Sequence, residues 1–102
     1  MRRGEIWTYR PALPRPGQAV LRLILSAGGF NEVTARPVVI GAQVVEHDPG
    51  GLLNVQLGGQ GWVTLPTIEA VLRSRLGERV GVASTEQMAA VGAALAAMLD
   101  LE

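Results

Sequence analysis

Arginine is the only strongly basic side chain in this sequence: all nine Lys-or-Arg positions are arginine. A guanidinium stays charged at any working pH and can grip a phosphate or carboxylate with two parallel hydrogen bonds. Arg2, Arg3, Arg10, Arg15, Arg22 and Arg36 stand against only Glu5 and Glu32 in residues 1–36, a balance of +4. Arg73, Arg75 and Arg79 stand against seven acids in the remainder, a balance of −4. A basic half of this kind attracts phosphates or an acidic partner; the alternative is an uneven but solvated surface. With no cysteine, thiolate chemistry and disulfide scaffolds are excluded. The single histidine, His47, lies between Glu46 and Asp48 at the lip of a turn. One histidine cannot build a His-rich metal site or a His-pair acid–base mechanism, and an exposed turn position suits it better than a proton shuttle. Of the four aromatic residues, Trp7 and Trp62 read as core. Tyr9 and Phe30, beside a Pro-rich loop and a Gly turn, are the candidates for stacking on a base.

These residues need elements to hold them. Gly4–Tyr9 alternates, Ile6 and Thr8 on one face and Trp7 and Tyr9 on the other, as a strand does. Residues 10–17 carry Pro11, Pro14, Pro16 and Gly17, too many ring-locked positions for a helix or central strand. The exposed loop expected there offers Arg10 and Arg15 to a ligand, with Tyr9 before it and Gln18 after it. Gln18–Ser26 reads as a strand with Ala19, Leu21, Leu23 and Leu25 on one face and Val20, Arg22, Ile24 and Ser26 on the other. Arg36–Glu46 reads as a third strand, with Gly41 marking a bend. Leu52–Leu57 and Trp62–Leu65 flank Gly58-Gly59-Gln60-Gly61 as a hairpin. Two more short strands, Thr67–Leu72 and Glu78–Val82, surround a turn at Ser74–Gly77. Ser84-Thr85-Glu86-Gln87 has the spacing of a capping box, and Met88, Val91, Leu95, Met98 and Leu99 follow at helical spacing. No charge falls between Met88 and Leu99. Either a partner chain covers the alanine-rich outer face, or alanine is there as a strong helix former.

At 102 residues, 48% hydrophobic and 18% charged, the chain has room for one folded domain, 1–102, and is not disordered. Its apolar runs are too short for a membrane span, and no hydrophobic segment follows the opening arginines, so a cytoplasmic protein is expected. Short strands with frequent turns give a mostly-β (α+β) class: a small barrel with a C-terminal helix.

Arg3-Gly4-Glu5-Ile6-Trp7 resembles the opening of the MazF/PemK toxin family. Arg73-Ser74-Arg75-Leu76-Gly77-Glu78-Arg79-Val80-Gly81, then Ser84-Thr85-Glu86-Gln87-Met88 and the final helix, resemble its closing half. Leu23–Ser26 and Phe30-Asn31 resemble its second strand and following loop. The resemblance covers nearly the whole chain in order. It implies an SH3-like barrel with a C-terminal helix, a homodimer, an antitoxin protein or peptide as partner, and single-stranded RNA cut without metal or other cofactor. A related family of the same fold poisons DNA gyrase, so fold alone leaves the target open.

In the family, an arginine before the Pro-Val-Leu of the second strand and a hydroxyl at the end of the third serve RNA cleavage. The 2′-hydroxyl attacks its own phosphate, which needs a proton acceptor and a cation on the phosphorane. Here the arginine position falls on Val20 or Gln18, and the hydroxyl position on Gln43 or Val44. Arg22 shares the strand face of positions 18 and 20 and is the nearest replacement; otherwise it is an outward arginine on a solvated face. Gln43 is the matching second residue; otherwise it is a surface glutamine. Glu69 stands near a place that is commonly basic in the family, and a carboxylate there repels phosphate. Arg73, Arg75 and Arg79 read as structural. Three functions stay open: a toxin-like protein that binds RNA or antitoxin with ribonuclease activity lost or altered, an active endoribonuclease rearranged around Arg22, and a non-enzymatic or gyrase-directed binding module.

Overall fold

Apolar residues on both sides of the central strands decide this architecture. In the computed structural model, which describes residues 1–101, seven strands run in the order β1 (Glu5–Tyr9), β2 (Leu21–Ile24), β3 (Val38–Val45), β4 (Asn54–Gln56), β5 (Trp62–Thr64), β6 (Glu69–Leu72) and β7 (Leu76–Val82). Two α-helices join them, a single turn α1 (Gly28–Asn31) and the terminal α2 (Thr85–Leu99). All strand pairings are antiparallel, in the spatial order β4-β5-β3-β2-β1-β7, with β6 also on β3. The expected barrel is therefore corrected to an open sheet, since β4 and β7 do not pair. A side chain spans part of that gap: Gln60 Nε2 donates to the Val80 carbonyl at 2.9 Å. An amide side chain satisfies one carbonyl of the free β7 edge without completing a ladder.

β3 is the hub because two strands share one of its edges. β6 pairs with Val38–Gly41 and β5 with Val44–Val45. The changeover lies by Gly41, where an added Cβ would stand 2.9 Å from the Leu23 carbonyl oxygen. The bend expected at Gly41 thus has a cause: β2 and β3 approach too closely there for any side chain.

The alternation in β1 and β2 sorts side chains into two cores. Ile6, Leu23, Leu25, Ala42, Val44, Val63 and Leu65 pack beneath α2, which contributes Val91. Ile24, Val39 and Val71 form a smaller cluster on the opposite face, against Met1, Trp7, Tyr9 and Leu76. Each fully buried aliphatic side chain contributes about 1.5–3 kcal/mol by leaving water. Trp62 is half-buried and belongs to neither cluster, contrary to its reading as core, because it alternates with the buried Val63. The second strand begins at Leu21 rather than Gln18. Gln18 folds back on the loop, its Oε1 accepting from the Arg15 amide at 3.1 Å.

α2 begins as its sequence dictates. Ser84 Oγ accepts from the Gln87 amide at 3.1 Å, and Gln87 Oε1 accepts from the Ser84 amide at 2.8 Å. Met88, Val91, Leu95 and Met98 face the core with Ala94, while Leu99 turns outward. Among the described residues, no helix is long and apolar enough to cross a membrane.

Candidate functional site

The chemistry-bearing residues gather on the face of the sheet opposite α2. Arg22 stands directly across from Trp7 on β1 and from Gln43 on β3. Residues paired in this way share a face, so Arg22 and Gln43 project together. Glu69 enters from β6, paired with Gly41 two residues before Gln43. Tyr9 enters from β1, two residues past Trp7 and on the same side.

Arg22 is not the solvated arginine that its outward-facing reading described: it is 3% exposed. Its Nε donates to Glu69 Oε1 at 2.9 Å. Its Nη1 donates to the carbonyls of Leu21 and Ala19 at 3.0 and 3.2 Å. Its Cζ lies 3.9 Å from the centre of the Tyr9 ring. A buried guanidinium needs this set, because a charge taken from water without a partner costs several kcal/mol. The pair is asymmetric: the side chain of Glu69 is 37% exposed against 4% for that of Arg22.

Sequence reasoning missed the Thr67 hydroxyl, which is bonded to the backbone of Gln43. Thr67 Oγ1 accepts from the Gln43 amide at 2.8 Å and donates to the Thr64 carbonyl at 2.7 Å. It sits in the one-turn helix Leu65–Thr67 that feeds β6, so both its donor and an acceptor site are engaged. The sequence did carry one signal for Glu69. Ile24 follows Arg22 on its own face of the strand, and an arginine buried there demands an acid. Which acid, 47 residues away, only the β3–β6 pairing decides.

The remaining candidates are spread along the loop between β1 and β2. Arg10 and Arg15 are exposed. Gln18 holds the turn at Arg15 and also lines a broad cavity of about 580 Å³ with His47. Only Tyr9 joins Arg22 directly. His47 is 93% exposed, as its turn position foretold. Arg73 ties the segment after α1, Nε donating to the Arg36 carbonyl at 2.8 Å, and Arg79 pairs with Glu5 at 3.2 Å. Glu5 is buried; burial pushes its carboxyl up, but the Arg2 amide, the Trp7 indole and Arg79 outweigh that and hold it below its ordinary 4.5. Among the described residues, no group of three or more His, Asp or Glu side chains converges to hold a metal ion.

The family of PemK-like, MazF-like toxins of type II toxin–antitoxin systems matches residues 2–99. The chain belongs to this family. Solved structures of similar fold include an endoribonuclease in complex with its cognate antitoxin from a mycobacterial species, with a TM-score of 0.83 at 22% identity, covering 100% of this chain and 97% of that one. MazF of Deinococcus radiodurans has a TM-score of 0.75 at 23% identity, covering 97% and 94%. A MazE–MazF complex of the same organism has 0.76 at 23%, covering 100% and 97%. At such identities the likeness is one of fold. No curated protein matches by sequence.

Proposed function

We propose that this protein is the toxin-side partner of an antitoxin protein or peptide, with metal-independent ribonuclease activity absent or weak. Family membership and the antitoxin-bound structural relatives support the pairing. The confinement of Arg22 carries the argument about activity. A phosphorane needs a cation aimed at the place where its charge develops. Arg22 aims instead at Glu69, Ala19 and Leu21, with Tyr9 over its face. A carboxylate 2.9 Å from the guanidinium repels the phosphate that should replace it. Loss of one such preorganised donor costs about a hundred- to a thousand-fold in rate. The candidate hydroxyl, Thr67, is spent within the fold.

One observation favours a second reading, a ribonuclease rearranged around Arg22. The more exposed Glu69 beside a fixed guanidinium, with Gln43 on the same face, has the parts of a proton acceptor and a cation. Incubating the pure protein with long single-stranded RNA in chelator separates the two. No discrete cuts are expected; cuts that vanish in Arg22→Ala and Glu69→Gln establish the rearranged site. We also propose a homodimer, formed through the uncharged outer face of α2, where Ala89, Ala90, Ala93 and Ala97 are exposed.

A further inference from the structure

We propose that Met88 is an oxidation site: a peroxide converts its thioether to a sulfoxide, and the change frees the start of α2 from the sheet. With no cysteine in the chain, the three methionines hold all of its sulfur, and sulfur is the atom that peroxides attack first. Met88 and Met98 pack from α2 onto the larger core, and Met1 packs on the cluster of the opposite face. Met88 is half-buried, open enough to meet a small oxidant and close enough to the core for its contacts to matter.

The wall behind Met88 is bare backbone. Gly4 has a φ of +95°, in the left-handed region that favours glycine. The place where its Cβ would stand lies 3.4 Å from Met88 Cγ, 3.5 Å from Sδ and 4.0 Å from Cε. The end of the Met88 side chain therefore rests on Gly4 itself. That residue is a junction. Its amide donates to the Ile24 carbonyl of β2 at 2.8 Å, and its carbonyl accepts from the Ala83 amide at 2.8 Å. Ala83 immediately precedes Ser84, the N-cap of α2, so the start of β1, the end of β2 and the entry to the helix meet at one glycine. The Met88 amide donates to the Ser84 carbonyl at 2.9 Å. Its backbone thus belongs to the capped turn and its side chain to the junction.

Oxidation reverses the polarity of this contact. Hydrogen peroxide transfers one oxygen to Sδ; the sulfur gives up two electrons, the O–O bond breaks and water leaves. The sulfoxide oxygen is a strong acceptor on a side chain that was apolar. Backbone donors beside it are already engaged: the amides of Gly4, Glu5 and Ala83 donate to the carbonyls of Ile24, Arg2 and Gly4. A buried acceptor without a donor is costly, so the oxidised side chain turns to water and leaves Gly4. α2 then keeps Val91, Ala94, Leu95 and Met98 against the core but loses the contact nearest its start. The capping box at Ser84 and Gln87 is untouched, so the helix persists while its docking weakens. Sulfoxide reductases reverse the step, which makes it a switch rather than a lesion. The site goes beyond the toxin-side reading, because its readout is the same whether or not RNA is cut.

Hydrogen peroxide treatment of the full chain, followed by peptide mapping in a mass spectrometer and by thermal unfolding, tests this. One added oxygen is expected at Met88, with an unfolding midpoint lowered by about 4–8 °C, the scale of one lost interaction in a domain of this size. Met98→Leu is expected to keep the full shift and Met88→Leu to lose it. Leucine conserves the volume of methionine, so both variants fold. Within the Met98→Leu chain the shift is expected to follow the fraction of sulfoxide at Met88, a readout that does not need the Met88 variant. Methionine sulfoxide reductases with dithiothreitol are expected to restore the parent midpoint. Met88 that stays unoxidised at a peroxide concentration that oxidises free methionine overturns the proposal. So does sulfoxide at Met88 without a shift, a shift of equal size in Met88→Leu, or a shift that the reductases leave in place.

Discussion

Arg22 and Glu69 illustrate how little a buried ion pair reveals about net stability and how much about constraint. Breaking one leaves a charge without its partner, whereas replacing both with apolar residues of similar size is often neutral. Glu69→Gln is expected to cost about 1–3 kcal/mol in urea unfolding, because Arg22 stays buried and charged. Arg22→Met with Glu69→Leu is expected to lie within about 1 kcal/mol of the parent. A double variant as unstable as the sum of its singles removes the pair from this account. Glu5 gives the pH dependence. Its folded carboxyl titrates below its ordinary 4.5, so its contribution is fully present above that value and lost as pH falls through the lower, folded one. The stability gap between the parent and Glu5→Gln is therefore expected to be constant near neutrality and to close on acidification below about 4.5. Thermal unfolding from pH 7 to 3 measures it, and a gap that widens toward acid contradicts the sign.

Turns rather than strands carry the sharpest backbone demands at the scale of the elements. Gly61, between the one-turn helix Gly58–Gln60 and β5, has φ of +110°, and an added Cβ would collide with the Val45 carbonyl. Gly92, within α2, has nothing within 4 Å of where a Cβ would sit. Gly61→Ala should thus destabilise by more than about 1 kcal/mol, and Gly92→Ala should stabilise by up to about 1 kcal/mol, as helix propensity dictates. Equal effects in denaturant titrations refute the contrast. Both glycines look alike in the sequence; close approach of another strand separates them.

Assembly belongs to the whole molecule. α2 buries only Val91 completely and packs its Met88, Leu95 and Met98 stripe on the sheet, leaving alanines outside. Ala94 sits on the packed side and Ala90 on the open one. Ala90→Glu is therefore the clean probe of association, since Ala94→Glu also injures the protein's own core. Sedimentation at tens of micromolar, on the order of weak affinities, is expected to show a dimer for the parent and a lighter species for Ala90→Glu. A parent that sediments as a monomer removes the homodimer from the proposal.

Short-range physics was legible throughout the chain. Alternation placed Ile6 on one face and Trp7 and Tyr9 on the other, the prolines marked the loop after Tyr9, and Ser84 with Gln87 announced α2 as a capping box. The motifs at Arg3–Trp7 and Arg73–Gly81, with the final helix, were enough to place the family. These features depend on residues within a turn or two of one another, so composition and spacing determine them. Pairing between distant strands does not have that property. The open sheet, the burial of Arg22 and its capture by Glu69 follow from the β3–β6 and β1–β7 registers. Register is set by which apolar faces can be buried at once across the whole sheet, and a one-residue slip reverses every side chain. The sequence alone therefore determined the periodicities, the caps and the family, while the tertiary structure decided which charges are neutralised and which stay exposed.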